Sequence, residues 1–309
     1  MPERQTEKPC ILIVGAKGQV GVELQRSFAS FGSMVAVDLE SVDLANVDQT
    51  RALVRKVRPD VILNAAAYTA VDRAESQQDL AMAINATAPR VLAEEARELN
   101  ALVVHYSTDY VFNGEKQQPW VESDEPNPLN IYGVSKLAGE RALEKVGGRY
   151  LTFRTSWVYG PHGNNFLLTM LRLGRERGKL SIVNDQFGSP TTSIELANAT
   201  RTIVEGVLAG QFGEHKDWAG LYHMTCGDST TWFGFAEAIF AGAAARLGVK
   251  PPELTPQETK DYPTPAKRPR NSELSNEKLY AHFGVRLASW QTALNTVLET
   301  LSSAGSERR

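Results

Sequence analysis

Five short, predominantly apolar runs recur along the first half of the chain: Cys10–Val14, Met34–Val37, Val61–Asn64, Leu102–Tyr106 and Tyr150–Thr155. Stretches of helical periodicity separate them, at Gln19–Phe31, Asp48–Val57, Leu80–Asn100 and Tyr132–Lys145. A strand that is apolar along its whole length, rather than at every second position, needs cover on both faces. Such runs belong to a parallel sheet held between helices. The alternation of strand and helix therefore predicts an α/β fold, a doubly wound, Rossmann-like parallel sheet over residues 9–160. A smaller C-terminal lobe, expected to bind substrate, covers 161–309, with some of its segments returning to the first domain.

Past Gly160 the pattern is looser. Helices are expected at Asn165–Arg177, Ile194–Leu208 and Trp232–Leu247, the last capped by Ser229 or Thr230. Leu221–Thr225 reads as a strand. Pro251, Pro252, Pro256, Pro263, Pro265 and Pro269 exclude a helix or a central strand across that region, which reads as a loop. The small, polar tail from Ser302 is expected to fray.

Glycines follow the first strand at once. Gly15, Gly18 and Gly21, with Ala16, Lys17, Gln19 and Val20 between them, form a strand-to-helix turn that also opens the first helix. Spaced glycines alone are a weak signal, since they occur in turns of every kind. Here they would let a pyrophosphate approach the backbone and meet the positive end of the helix. An acidic residue is then required at the end of the second strand to hold the adenosine ribose, and Asp38 stands there.

The helix after the fourth strand begins Tyr132-Gly133-Val134-Ser135-Lys136, which places Tyr132 and Lys136 one turn apart on one face. A surface tyrosine beside a lysine is the commoner meaning of that spacing. Beside the carboxyl ends of a nucleotide-binding sheet it acquires another: an ammonium lowers a phenol's pKa, as a proton donor or acceptor requires. Ser107-Thr108 ends the fourth strand, where a hydroxyl can reach a substrate carbonyl.

Together these residues resemble the Ser/Thr-Tyr-Lys triad of the extended short-chain dehydrogenases, with Thr108, Tyr132 and Lys136 as the set. Asp43-Leu44 and Asn64-Ala65-Ala66-Ala67 resemble that superfamily's adenine and cofactor-lining motifs. More specific stretches are His105 to Phe112, Tyr132 to Glu140, Arg154 to Tyr159, Gly163 to Phe166, Asp185 to Thr191, and Arg268-Pro269 with Asn271, Ser272 and Leu274. Over nearly the whole chain they resemble the dTDP-4-dehydrorhamnose reductase family. That resemblance implies NADPH- or NADH-dependent reduction of the 4-keto group of a dTDP-4-keto-6-deoxysugar (dTDP-4-dehydrorhamnose to dTDP-rhamnose), with Tyr132 as proton donor. It implies that Val71, Asp109, Tyr110 and Trp157 contact the sugar nucleotide. It further implies a homodimer holding Mg2+ through glutamates, for which Glu23 and Glu195 are weak candidates and Thr300 falls at the third position.

Each of these residues also has a plainer reading. Asp43 could cap a helix, Ala65–Ala67 could pack helices closely, Val71 and Trp157 could be core, and the glutamates could be exposed helix residues.

Two alternatives stay open on sequence. One is an epimerase or dehydratase of the same branch, although dehydratases usually carry an acidic pair beside the threonine and Tyr110 follows Asp109 here. The other is a binding subunit like the regulatory subunit of methionine adenosyltransferase. Nucleic acid is not an expected partner, since the 309 residues carry a net charge of −3 with no basic excess. No run approaches the roughly 20 apolar residues of a membrane span. Two lone cysteines, Cys10 and Cys226, fit a reducing compartment, and a cytoplasmic location is expected.

Overall fold

The structure is a computed structural model that describes residues 8–306, with side chains to residue 303. Strands β1 (Cys10–Val14), β2 (Ser33–Val37), β3 (Val61–Asn64), β4 (Leu102–Thr108) and β5 (Tyr150–Thr155) join the later strand Gly220–His223 in one sheet of six. The order is β2, β1, β3, β4, β5 and Gly220–His223, and every pair is parallel. The expected doubly wound sheet is therefore present. Its winding reverses between β1 and β3, which opens a crevice at their carboxyl ends, the place where such sheets take ligands.

Side chains along each strand divide between the two faces. Ile11 and Ile13 pack with Leu24 and Phe28 of α1 (Gln19–Phe28) and with Leu196 and Ile203 of the helix Ser193–Leu208. Leu12 and Val14 pack on the opposite side with Val54, Leu92 and Leu143, from the helices Val47–Val57, Ala88–Leu99 and Ile131–Val146. A second core gathers Leu167, Phe235, Ile239, Trp290 and Val297 from the helices Phe166–Glu176, Trp232–Leu247 and Trp290–Ser306.

Several local expectations need correction. The helix expected over Leu80–Asn100 is three pieces: α-helices Gln78–Met82 and Ala88–Leu99 flank a π-helical turn, Ala83–Thr87. That turn faces Asn85 inward. Its amide donates to the Tyr68 carbonyl and the Ser135 hydroxyl and accepts from the Tyr68 N–H, which ties the loop after β3 to the helix of Tyr132.

The cap of Trp232–Leu247 is Thr231, whose hydroxyl accepts from the Gly234 N–H, and neither Ser229 nor Thr230 fills that place. The proline-rich region is not all loop. Glu253–Gln257 pairs in parallel with Lys179–Val183 in a ribbon of two strands, where Pro256 needs no second neighbour for its missing N–H. The final helix runs through Ser306 instead of fraying from Ser302. The hydroxyls of Thr296, Thr300 and Ser303 each bond a carbonyl one turn back. Of the polar N-terminal segment, residues 1–7 lie outside the described residues, as do 307–309 of the tail.

Candidate active site

The glycine loop joins β1 to α1 at the crevice. Gly15 has φ +83°, and a Cβ there would lie 2.6 Å from the Ala66 nitrogen, so the loop and the residues after β3 are in direct backbone contact. A Cβ on Gly21 would lie 2.0 Å from the Gly15 oxygen, so α1 can approach its own entry loop only without a side chain there. Gly18 is the N-cap of α1 and makes no side-chain cap bond, and no acidic residue occupies the first turn. The Gln19 side chain accepts from the Asn165 amide at 2.9 Å, which ties the start of the helix Phe166–Glu176 to the loop, and Val20 packs against the first core.

Asp38 follows β2 and accepts from the Lys17 N–H at 2.7 Å and from the Leu39 N–H at 2.8 Å, so its carboxylate is fixed beside the glycine loop. The exposed Lys17 ammonium pairs with Glu40. Asp43 does not cap the next helix. That role belongs to Asn46, which accepts from the Gln49 N–H, while Asp43 turns onto the Ala45 N–H. Leu44 packs at the edge of the core on this face of the sheet.

At the carboxyl end of β4, Thr108 donates to the Asp109 carboxylate at 2.9 Å and accepts from the Tyr110 N–H at 3.2 Å. Its hydroxyl also lies close enough to the Tyr132 phenol to lower that group's pKa. Tyr132 enters on the helix Ile131–Val146, whose N-cap Asn130 accepts from the Gly133 N–H. A Cβ on Gly133 would meet the Tyr110 oxygen at 2.2 Å, so glycine there lets the helix seat against the end of β4. The rings of Tyr110 and Tyr132 meet edge to face at 5.8 Å.

Asp109 is 2 % exposed and also accepts from the Ser156 hydroxyl at 3.1 Å. Burial raises its carboxyl to about 6, against the pull of hydroxyls from Ser272, Thr108 and Ser156. A raised carboxyl pKa means that the folded state binds its proton more tightly than the unfolded chain. Burying the carboxylate therefore costs stability above about pH 6, and the cost disappears as the pH falls toward the ordinary carboxylate range. Asp109→Asn is expected to stabilise the fold at pH 8 by about 1–3 kcal/mol, with the gain lost near pH 4. Urea unfolding of both proteins at the two pH values checks this. A variant less stable at both would contradict it.

The remaining sugar-site candidates lie around this centre. Trp157 follows Ser156 with φ +48° and stacks on Trp232 at 3.6 Å. Gly188 lies so close beneath the Trp157 ring that a Cβ would come within 2.5 Å of it. The segment from Asp185 to Thr191 is zipped to the one around Arg268 by bonds from the Phe187 N–H to the Arg270 carbonyl and from the Ser272 N–H to the Phe187 carbonyl. Val71 begins a short helix whose next residue, Asp72, forms a two-pronged ion pair with Arg268. Sequence reasoning passed over Asp72 as a partner, since nothing in the spacing joins residues 72 and 268.

Burial moves the Tyr132 and Lys136 pair in the direction opposite to the sequence expectation. The Tyr132 phenol is pushed up to about 12, with Thr108 the group that pulls it down. Lys136 is buried, its ammonium donates to the Tyr106 carbonyl, and burial lowers it to about 8 against the support of Glu140. The ammonium expected to depress the phenol is thus turned toward the backbone of β4.

Glu23 accepts from Arg26 and faces His162, and Glu195 accepts from the Ala288 N–H. The Thr300 hydroxyl is spent on its own helix. Among the described residues no three His, Cys, Asp or Glu side chains gather as a metal centre.

The model of the RmlD substrate binding domain family matches residues 9–303. The dTDP-4-dehydrorhamnose reductase of Escherichia coli (strain K12) is 45% identical, over 94% of this chain and 97% of that protein. The chain belongs to the dTDP-4-dehydrorhamnose reductase family. The protein of that name from Salmonella typhimurium is 47% identical, over 93% of this chain and 96% of its own. A crystal structure of the Bacillus anthracis reductase in complex with NADP has TM-score 0.86 at 35% identity, covering 95% of this chain and 99% of that one. Beyond the family, the fold alone is shared with a Thermus thermophilus UDP-glucose 4-epimerase complexed with NAD, at 20% identity and TM-score 0.73. Among the described residues no helix is long and apolar enough to cross a membrane.

Proposed function

We propose that the protein reduces the 4-keto group of a dTDP-4-keto-6-deoxysugar, dTDP-4-dehydrorhamnose to dTDP-rhamnose, using NADPH or NADH. The observation that carries this reading is the meeting of Thr108 and Tyr132 at the carboxyl end of β4, in a chain of this family. The residues around the glycine loop suit a dinucleotide. Gly15, Gly18 and Gly21 leave the backbone open to a pyrophosphate; Asp38 would hold the ribose, Asp43 and Leu44 the adenine, and Ala65–Ala67 would line the floor. When bound, the cofactor supplies the hydride. Thr108 holds the keto oxygen, and the neutral Tyr132 phenol gives that oxygen its proton. Lys136 orients the ribose and the phenol. Asp109, Tyr110, Val71 and Trp157 hold the sugar nucleotide, with the segment 161–309 as the substrate lobe.

The purified protein, given the 4-keto substrate, should oxidise NAD(P)H one-for-one. Binding of cofactor without oxidation would favour the reading as a regulatory subunit.

Cofactor choice turns on Lys17. Asp38 favours NADH, because a carboxylate binds ribose hydroxyls and repels a 2′-phosphate. Lys17 offsets that repulsion, while Glu40 competes for the same ammonium. Lys17→Ala should lower the NADPH-to-NADH ratio of kcat/KM by roughly tenfold, and Glu40→Gln should raise it. Steady-state kinetics with both cofactors would reveal an error if the ratio did not move.

A further inference from the structure

His105 lies on β4 at the centre of the sheet, with no exposed surface. Its Nε2 is 3.4 Å from the Lys136 Nζ, and its Nδ1 is 3.0 Å from the Asn64 amide at the end of β3. Gly139, one turn beyond Ser135, lets the helix of Lys136 seat against Asn85, since a Cβ there would lie 2.2 Å from the Asn85 carbonyl oxygen, with His105 Nε2 in ordinary contact at 3.6 Å. The same ammonium donates to the Tyr106 carbonyl. Two of its three N–H groups are thereby directed into β4, which leaves one for the phenol and ribose side. Resting on the reading of Lys136 as a member of the catalytic set, we propose that His105, oriented by Asn64, is the positioning residue that fixes the Lys136 ammonium.

One proton arrangement satisfies these contacts. Burial and the adjacent ammonium both hold the imidazole well below its ordinary range, so the ring is neutral, with one N–H and one lone pair. An ammonium has only donors, so Nε2 accepts and Nδ1 carries the proton. Nδ1–H then needs an acceptor, and the Asn64 side chain offers one only through Oδ1. The buried Oδ1 has no partner in the orientation with Nδ2 against the ring. Turning the amide exchanges the two atoms within the same outline, pairs Oδ1 with Nδ1–H and leaves Nδ2 in the unpartnered place. The chain Asn64, His105, Lys136 then runs donor to acceptor without a clash, from the residues beside the glycine loop to the catalytic helix. Lys136 is the charged group facing the ring, and Glu140, further along that helix, is engaged by Arg154.

The expected kinetics separate positioning from mere packing. His105→Leu removes the acceptor and should lower kcat by roughly tenfold to a hundredfold with little change in KM for sugar or cofactor. His105→Gln keeps an acceptor near the position of Nε2 and should recover most of that loss. Wild-type kcat in His105→Leu, or equal losses in both variants, would overturn the proposal.

A second measurement stands if either variant fails to fold, and it needs no turnover. Long-range proton–nitrogen correlation on the 15N-labelled wild-type protein reads which ring nitrogen of His105 is protonated. Nδ1–H at neutral pH is expected, and Nε2–H would overturn the proposal. Because that readout is independent of activity, an inactive protein with the expected tautomer would count against the proposed reaction and leave the positioning contact standing.

Discussion

Tyr132→Phe is expected to keep its fold and its cofactor affinity and to lose turnover by about a hundredfold or more, the contribution of a positioned acid. The variant deletes one hydroxyl from a ring that packs edge to face on Tyr110, so the apolar contacts remain. It removes the hydroxyl whose pKa Thr108 lowers at the end of β4. With the phenol at about 12, Tyr132 holds its proton through the neutral range, the form that reduction of a ketone consumes. The wild-type rate of reduction should accordingly show no loss from this group between pH 7 and 9. Single-turnover kinetics with a parallel cofactor titration check both halves, and a variant reducing substrate at near wild-type rate would remove Tyr132 from the chemistry.

The largest effect on stability is expected at Arg154. Its guanidinium, 2 % exposed, makes a two-pronged pair with Glu140, while Ser107 donates to the same carboxylate. The pair bolts β5 to the helix of Tyr132 and Lys136, and Arg154 also lies over the Phe112 ring at 4.9 Å. A buried ion pair adds little over apolar residues of the same shape, but losing one partner leaves an uncompensated charge. Arg154→Met should therefore destabilise the protein by about 3–5 kcal/mol, and Glu140→Leu in the same chain should restore part of it. Urea unfolding of the single and double variants measures this, and a single-variant loss below about 1 kcal/mol would show that Glu140 is hydrated or protonated.

The parts legible in the sequence are those whose signal is local. Strand β1, the glycines after it and Asp38 announce the crevice at the carboxyl ends of β1 and β3, because a tight turn and close backbone approach restrict residue type within a few positions. Thr108 and Tyr132 likewise stand where the strand and helix pattern put them. What the pattern hides is contact between distant segments. Asp72 with Arg268, the Asp185–Thr191 segment with Asn271 and Ser272, and His105 with Asn64 and Lys136 arise from chain crossings that no spacing records. The π-helical turn at Ala83–Thr87 was hidden for another reason: its residues are ordinary helix formers, and tertiary bonds at Asn85 select the wider turn. Proline misled in the other direction, since Pro256 is compatible with a ribbon that has no strand on its far side.

The most direct test of the account is hydride transfer itself. NADPH deuterated at the transferable position of the nicotinamide, incubated with the protein and a dTDP-4-keto-6-deoxysugar, should place one deuterium on C4 of the product sugar, one for each cofactor oxidised. Deuterium that stays in the cofactor while the sugar is epimerised or dehydrated, or substrate recovered unchanged from a protein that binds the cofactor, would contradict it.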